Sequence, residues 1–167
     1  MKRVRLWIFL SAGLLLAITL AACGGTSASG TQGSTVAAAA TATATSAPPV
    51  VVVKVKSAKV AGKSTQVLGD LKGKTLYYFT ADSANQIACT GSCAQLWPPL
   101  LVTSGTPAAQ TTLSGKFGVI NGTDGRQVTY NGHPLYAYAK DEDSEDAYGQ
   151  GIGGKWFAAT PNLSAQS

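Results

Sequence analysis

One stretch of this chain is written twice. Leu76-Tyr77-Tyr78-Phe79-Thr80-Ala81-Asp82 returns 59 positions later as Leu135-Tyr136-Ala137-Tyr138-Ala139-Lys140-Asp141. At the same spacing Gly73 meets Gly132 and Trp97 meets Trp156. Glycine, leucine, tyrosine, a second aromatic, aspartate and tryptophan therefore recur in register without a gap. A solenoid needs three or more stacked units to close its core. A repeat this long that occurs only twice instead predicts one domain with an internal pseudo-twofold.

Each copy reads as β-structure. Leu76 to Phe79 and Leu135 to Tyr138 are rich in strand-forming aromatics. Arg126-Gln127-Val128-Thr129-Tyr130 runs into Asn131-Gly132, and Asn-Gly between two strand-like runs is a strong hairpin signal. Thr123-Asp124-Gly125 marks a further turn after Phe117-Gly118-Val119-Ile120, and Gly69-Asp70 and Lys72-Gly73 punctuate copy one. Trp97 and Trp156 are expected to open or sit inside another strand. No stretch of the folded part shows helical periodicity. The predicted fold class is all-β: a small domain of short antiparallel strands over 50–167, with copy one at about 67–100 and copy two at about 126–160.

Within each copy, Tyr77 and Phe79, or Tyr136 and Tyr138, lie two apart and so share one face of a strand. They are expected to pack in the core against the tryptophans. Asp82 and Asp141 fall where the strands end, where a carboxylate can accept backbone N–H groups of the following turn. The functional alternative is an aromatic groove with an acid at its rim.

The N-terminus is of another kind. Lys2, Arg3 and Arg5 precede an apolar run from Leu6 to Ala22, the pattern of a secretory signal at 1–22. Leu20-Ala21-Ala22-Cys23 resembles the lipobox of bacterial lipoproteins, which implies cleavage before Cys23 and its acylation. Two or more acyl chains anchor stably where one does not. The expected location is therefore extracytoplasmic, at the cell membrane. Residues 24–49 carry no charge and no aromatic and are almost wholly Gly, Thr, Ser, Ala and Pro, too little apolar surface to offset ordering. With Cys23 they read as a disordered tether over 23–49, holding the domain roughly 30 Å from the membrane. Three of the 13 basic residues fall in the leader, so the mature chain is close to neutral and bears no nucleic-acid footprint.

With these residues in view, the sequence resembles the bacterial lipoproteins that carry a Tyr-x-(Phe/Trp/Tyr)-x-x-Asp motif, the secreted repeat of unknown function. Tyr77, Phe79 and Asp82, then Tyr136, Tyr138 and Asp141, carry the resemblance. It is supported by 88–100 (ACTGSCAQLWPPL), by 131–136 (NGHPLY) and by the Gly149 to Trp156 loop. It implies export and a repeated architecture, and no activity.

Once Cys23 is acylated, Cys89 and Cys93 remain. An even pair in an exported chain points to a disulfide. At the repeat spacing the bridge falls on Tyr148 and Ile152, beside the Gly149 to Gly154 loop, so the two copies would pin one loop in two ways. The alternatives are thiol redox chemistry, or copper held by Cys89, Cys93 and His133, since thiolate and imidazole suit Cu(I). Asp141-Glu142-Asp143-Ser144-Glu145-Asp146 is rich in oxygen ligands, with Asp141, Asp143 and Asp146 the first candidates for Ca²⁺, but it lacks an EF-hand frame. His133 is the only histidine, and neither Gly-x-Ser-x-Gly nor a phosphate loop occurs. The expectation is a non-enzymatic binding or structural module of the cell envelope, bound to the membrane through its anchor and without a cofactor. Extracytoplasmic copper or thiol handling is the rival.

Overall fold

The computed structural model describes residues 48–166. The signal, Cys23 and the tether up to Ala47 lie outside the described residues. Among those described, no helix is long and apolar enough to cross a membrane.

The domain is a repeated all-β structure with almost no helix. Strand β1 (Val50–Val60) turns through Ala61 and Gly62 into β2 (Lys63–Asp70), and the pair is antiparallel throughout. Both turn residues have left-handed φ, 48° and 80°, the geometry that matches the twist of a two-residue hairpin. Next come β3 (Tyr77–Phe79), the single turn of helix α1 (Ser92–Leu96) and β4 (Pro107–Ala109), which runs parallel to the start of β1. Copy two opens with β5 (Phe117–Gly122) and β6 (Gly125–Tyr130), joined at Thr123-Asp124. The Asn131-Gly132 turn then leads to β7 (His133–Pro134). Asn131 and Gly132 have φ of 51° and 87°, as the sequence anticipates. A 3-10 turn at Ile152–Gly154 precedes β8 (Trp156–Ala158).

The two repeats do not fold side by side. They exchange their last segments. β3 of copy one pairs antiparallel with β8 of copy two, Tyr77 opposite Ala158 and Phe79 opposite Trp156. The reciprocal pairing sets copy two's Tyr136 to Ala139 against Leu96 to Pro99 of copy one: Ala137 N–H donates to Pro98 O at 2.8 Å and Ala139 N–H to Leu96 O at 3.0 Å. Tyr77 and Tyr136 meet on the pseudo-twofold, each N–H donating to the other's carbonyl at 2.7 and 2.9 Å. A three-bond cycle flanks each side. Leu68 donates to Ala159 O, Ala159 to Leu76 O and Leu76 to Leu68 O; its counterpart links Val128, Leu100 and Leu135 in the same order.

Two sequence expectations need correction here. Trp97 does not open a strand; it ends α1, with its N–H donating to Cys93 O at 2.8 Å. The residues after it, Pro98 and Pro99, lie where Phe157 and Ala158 lie in the other half. Proline has no N–H, so the segment accepts bonds from Tyr136–Ala139 without forming a full ladder. Helix α1 itself was not expected, and five residues are too few to show a periodicity.

Candidate functional site: the shared aromatic core

Because the strands are exchanged, each tyrosine of the repeated motif reaches the aspartate of the other copy. Tyr77 Oη donates to Asp141 Oδ2 at 2.7 Å, and Tyr136 Oη donates to Asp82 Oδ2 at 2.8 Å. The remaining carboxylate oxygens hold the turns that follow: Asp82 Oδ1 accepts Ala88 N–H at 2.7 Å, and Asp141 Oδ1 accepts Tyr148 N–H at 3.0 Å. Tyr77 Oη also accepts Gly149 N–H at 3.2 Å. A Cβ at Gly149 would stand 2.8 Å from the Tyr77 ring and 2.9 Å from Trp97, so only glycine lets the backbone approach this closely.

The other motif aromatics form a column. Phe79 stacks on Trp156 (centroids 4.3 Å apart, 13° between planes), Trp156 on Trp97 (3.8 Å, 1°), and Trp97 on Tyr138 (4.3 Å, 30°). Tyr77 and Tyr136 meet the edges of Trp97 and Trp156 at 5.5 and 5.2 Å. The rings thus alternate between copies in the order one, two, one, two. Tyr77, Tyr136 and Asp141 are fully buried, and Asp82 is 6% exposed.

Burial pushes both aspartate carboxyls above the ordinary value of 3.8, while the tyrosine hydroxyls and turn N–H groups that bond them pull in the other direction. Burial, and then the neighbouring carboxylate, pushes both phenols far up. The phenols therefore keep their protons and donate. A carboxyl whose folded pKa is raised contributes stability that is complete below the unfolded value and fades as pH rises through the folded one. Asp146 has the opposite sign, because the N–H groups of Asp143 and Glu142 lower its pKa. Urea midpoints of the wild type should therefore lose this contribution from about pH 4 upward. In the Asp82→Asn, Asp141→Asn double variant that decline should disappear. An unchanged pH profile would mean that the two carboxyls are not raised.

Cys89 and Cys93 are joined in a disulfide with their Cα atoms 5.2 Å apart. Cys89 is buried among the aromatics and Cys93 packs against the same cluster. In copy two, Tyr148 and Ile152 occupy these places. The backbone contact is retained, Cys93 N–H to Thr90 O at 3.2 Å matching Ile152 N–H to Gly149 O at 3.3 Å. His133 stands elsewhere. Its Nε2 faces Ser164 O at 3.1 Å and its ring lies on Tyr78 at 4.8 Å. Cys89, Cys93 and His133 do not converge: among the described residues no three His, Cys, Asp or Glu side chains come together to hold a metal ion.

The acidic loop lies over lysines. Lys56 Nζ donates to Ser144 O, Lys74 Nζ to Asp141 O and Glu142 O, and Thr75 Oγ1 to Asp146 O. Lys59 pairs with Glu145 at 3.5 Å on the surface. Asp146 Oδ2 accepts the N–H groups of Glu142 and Asp143, both at 2.8 Å. The loop's carbonyls are thus already bonded, and so are the carboxylates of Asp141 and Asp146, while that of Glu145 is paired. In the sequence Lys56 and Lys74 belong to an early cluster (Lys54, Lys56, Lys59, Lys63, Lys72 and Lys74) that reads as a solvated face, set against acids that cluster late at Asp141 to Asp146; Thr75 carries no such signal. In copy one the equivalent carbonyl, that of Asp82, accepts Gln166 Nε2 at 2.7 Å instead.

The architecture defines a class: a two-repeat all-β domain in which each repeat completes the core of the other. The family described as secreted repeat of unknown function matches residues 59–101 and again 118–160, just over half of the chain, and the chain belongs to this family. The start points of the two matches are separated by the same 59 positions as the repeat. No curated protein and no solved structure matches the chain.

Proposed function

We propose that the protein is a non-catalytic module of the cell envelope. Its repeats build a rigid scaffold, and its exposed loops carry binding. The observation behind this reading is the burial and mutual satisfaction of Tyr77, Tyr136, Asp82 and Asp141. Groups that bond each other inside a core are not presented to a substrate. The copies differ in the loops that follow the motif aspartates. Copy one has the bridged Cys89–Cys93 loop, and copy two has a glycine loop with Tyr148 67% exposed.

The anchor in this reading is Cys23, acylated and made the N-terminus by removal of residues 1–22, with residues 24–49 as the tether. Cys23→Ser should move the protein from the membrane fraction to the soluble one. Retention in the membrane would remove lipidation from the reading.

The rival to be tested is copper or thiol handling by Cys89, Cys93 and His133. Intact mass of residues 50–167, with and without reductant and with added Cu(I), separates the two. A bridge that resists mild reductant and takes up no copper is the expected result. Free thiols that take up one copper, with uptake lost in His133→Ala, would replace the binding-module reading with metal handling.

A further inference from the structure

The surface that each repeat offers the other has an unusual property: it is complementary to a near copy of itself. Neither repeat holds a complete motif pair, since the partner of Tyr77 is Asp141 and the partner of Tyr136 is Asp82. Neither repeat holds two neighbours of the ring column, whose members alternate between copies. Each three-bond cycle borrows one residue, Ala159 or Leu100, from the other copy. The backbone bonds across the axis, from Tyr77 to Tyr136 and back, are reciprocal in the way of an isologous twofold contact. A unit of about 60 residues with half a core is marginal on its own.

We propose that the repeat is a pairing module whose partner is another repeat of the same kind, so that the second repeat of one copy of this chain can replace that of another. The covalent tie between the two is the segment from Gln110 to Lys116, which joins β4 to β5 and is mostly exposed. In the intact chain this short tie keeps the second repeat at an effective concentration on the order of millimolar, which favours the closed monomer. With the tie cut, the second repeat becomes an exchangeable partner. The recognition is carried by the two Tyr–Asp bonds and the Trp97–Trp156 stack. It does not depend on what the exposed loops bind.

The test uses the whole chain with a protease site inserted between the exposed Thr111 and Thr112. After cleavage the halves should co-elute and keep the near-UV signal of the stacked tryptophans. Isotopically labelled second half, released by denaturing cleaved protein, should enter unlabelled cleaved protein when the two are unfolded and refolded together. Asp141→Ala in the labelled half should weaken its entry at least about tenfold, because it leaves the Tyr77 hydroxyl and the Tyr148 N–H without their acceptor. A substitution at the exposed Glu142 should leave entry unchanged. Two results would overturn the proposal: a half that keeps the native signal alone, or a labelled half that never enters the complex. If the insertion prevents folding before cleavage, a site between Thr103 and Ser104 puts the same question with β4 left on the second half.

Discussion

Trp97→Ala and Trp156→Ala should each cost about 3–5 kcal/mol of folding free energy, the range for removing a buried large aromatic, and either should bring the domain close to unfolding at ambient temperature. The reason is their place in the column. Each tryptophan has a ring from the other copy on both faces and a tyrosine edge from its own copy against its rim. Removing one therefore opens contacts in both halves at once. Chemical denaturation followed by far-UV dichroism gives the loss directly. A cost below about 1 kcal/mol for both would show that the column is not what closes the core.

The Tyr–Asp bonds give the second large effect and the sharper one. Asp141→Ala should destabilise by about 2–3 kcal/mol, since it strands the buried Tyr77 hydroxyl and the Tyr148 N–H together. A double-mutant cycle of Tyr77→Phe with Asp141→Ala should show a coupling of about 1–3 kcal/mol, as expected for groups in direct contact. The cycle of Tyr77→Phe with Asp82→Ala pairs residues of one copy that make no bond to each other, and should couple weakly. If the stronger coupling fell within a copy, the exchange of segments would be refuted.

Much of the fold could be read from the residues. The 59-position spacing predicts the twofold, the Asn131-Gly132 hairpin forms with the left-handed geometry its residues favour, and Cys89 bonds Cys93. The exchange could not be read, for a physical reason. The two copies carry the same tyrosine and the same aspartate, so Tyr77 with Asp82 and Tyr77 with Asp141 are equivalent as sequence. Only chain geometry chooses between them. Pro98-Pro99 hid a second difference, because a segment that accepts hydrogen bonds but withholds donors does not read as a strand although it occupies the place of one. The electrostatic seat of the acidic loop was also hidden. Lys74 stands at the position of His133 in the other copy, and nothing in the repeat marks it as the group that caps the Asp141 and Glu142 carbonyls.

The exchanged segment also sets an order of events during synthesis. β3 finds its ladder partner only in Trp156–Ala158, and Leu68 and Leu76 complete their cycle only with Ala159. A chain made from its N-terminus must extend to Tyr136 before β3 has its first bridge, and past Trp156 before β3 has its ladder. Contacts this distant along the chain make folding slow. A first repeat that cannot close early stays open until the second has been made, and the residues around Trp156–Ala159 are the ones that lock both.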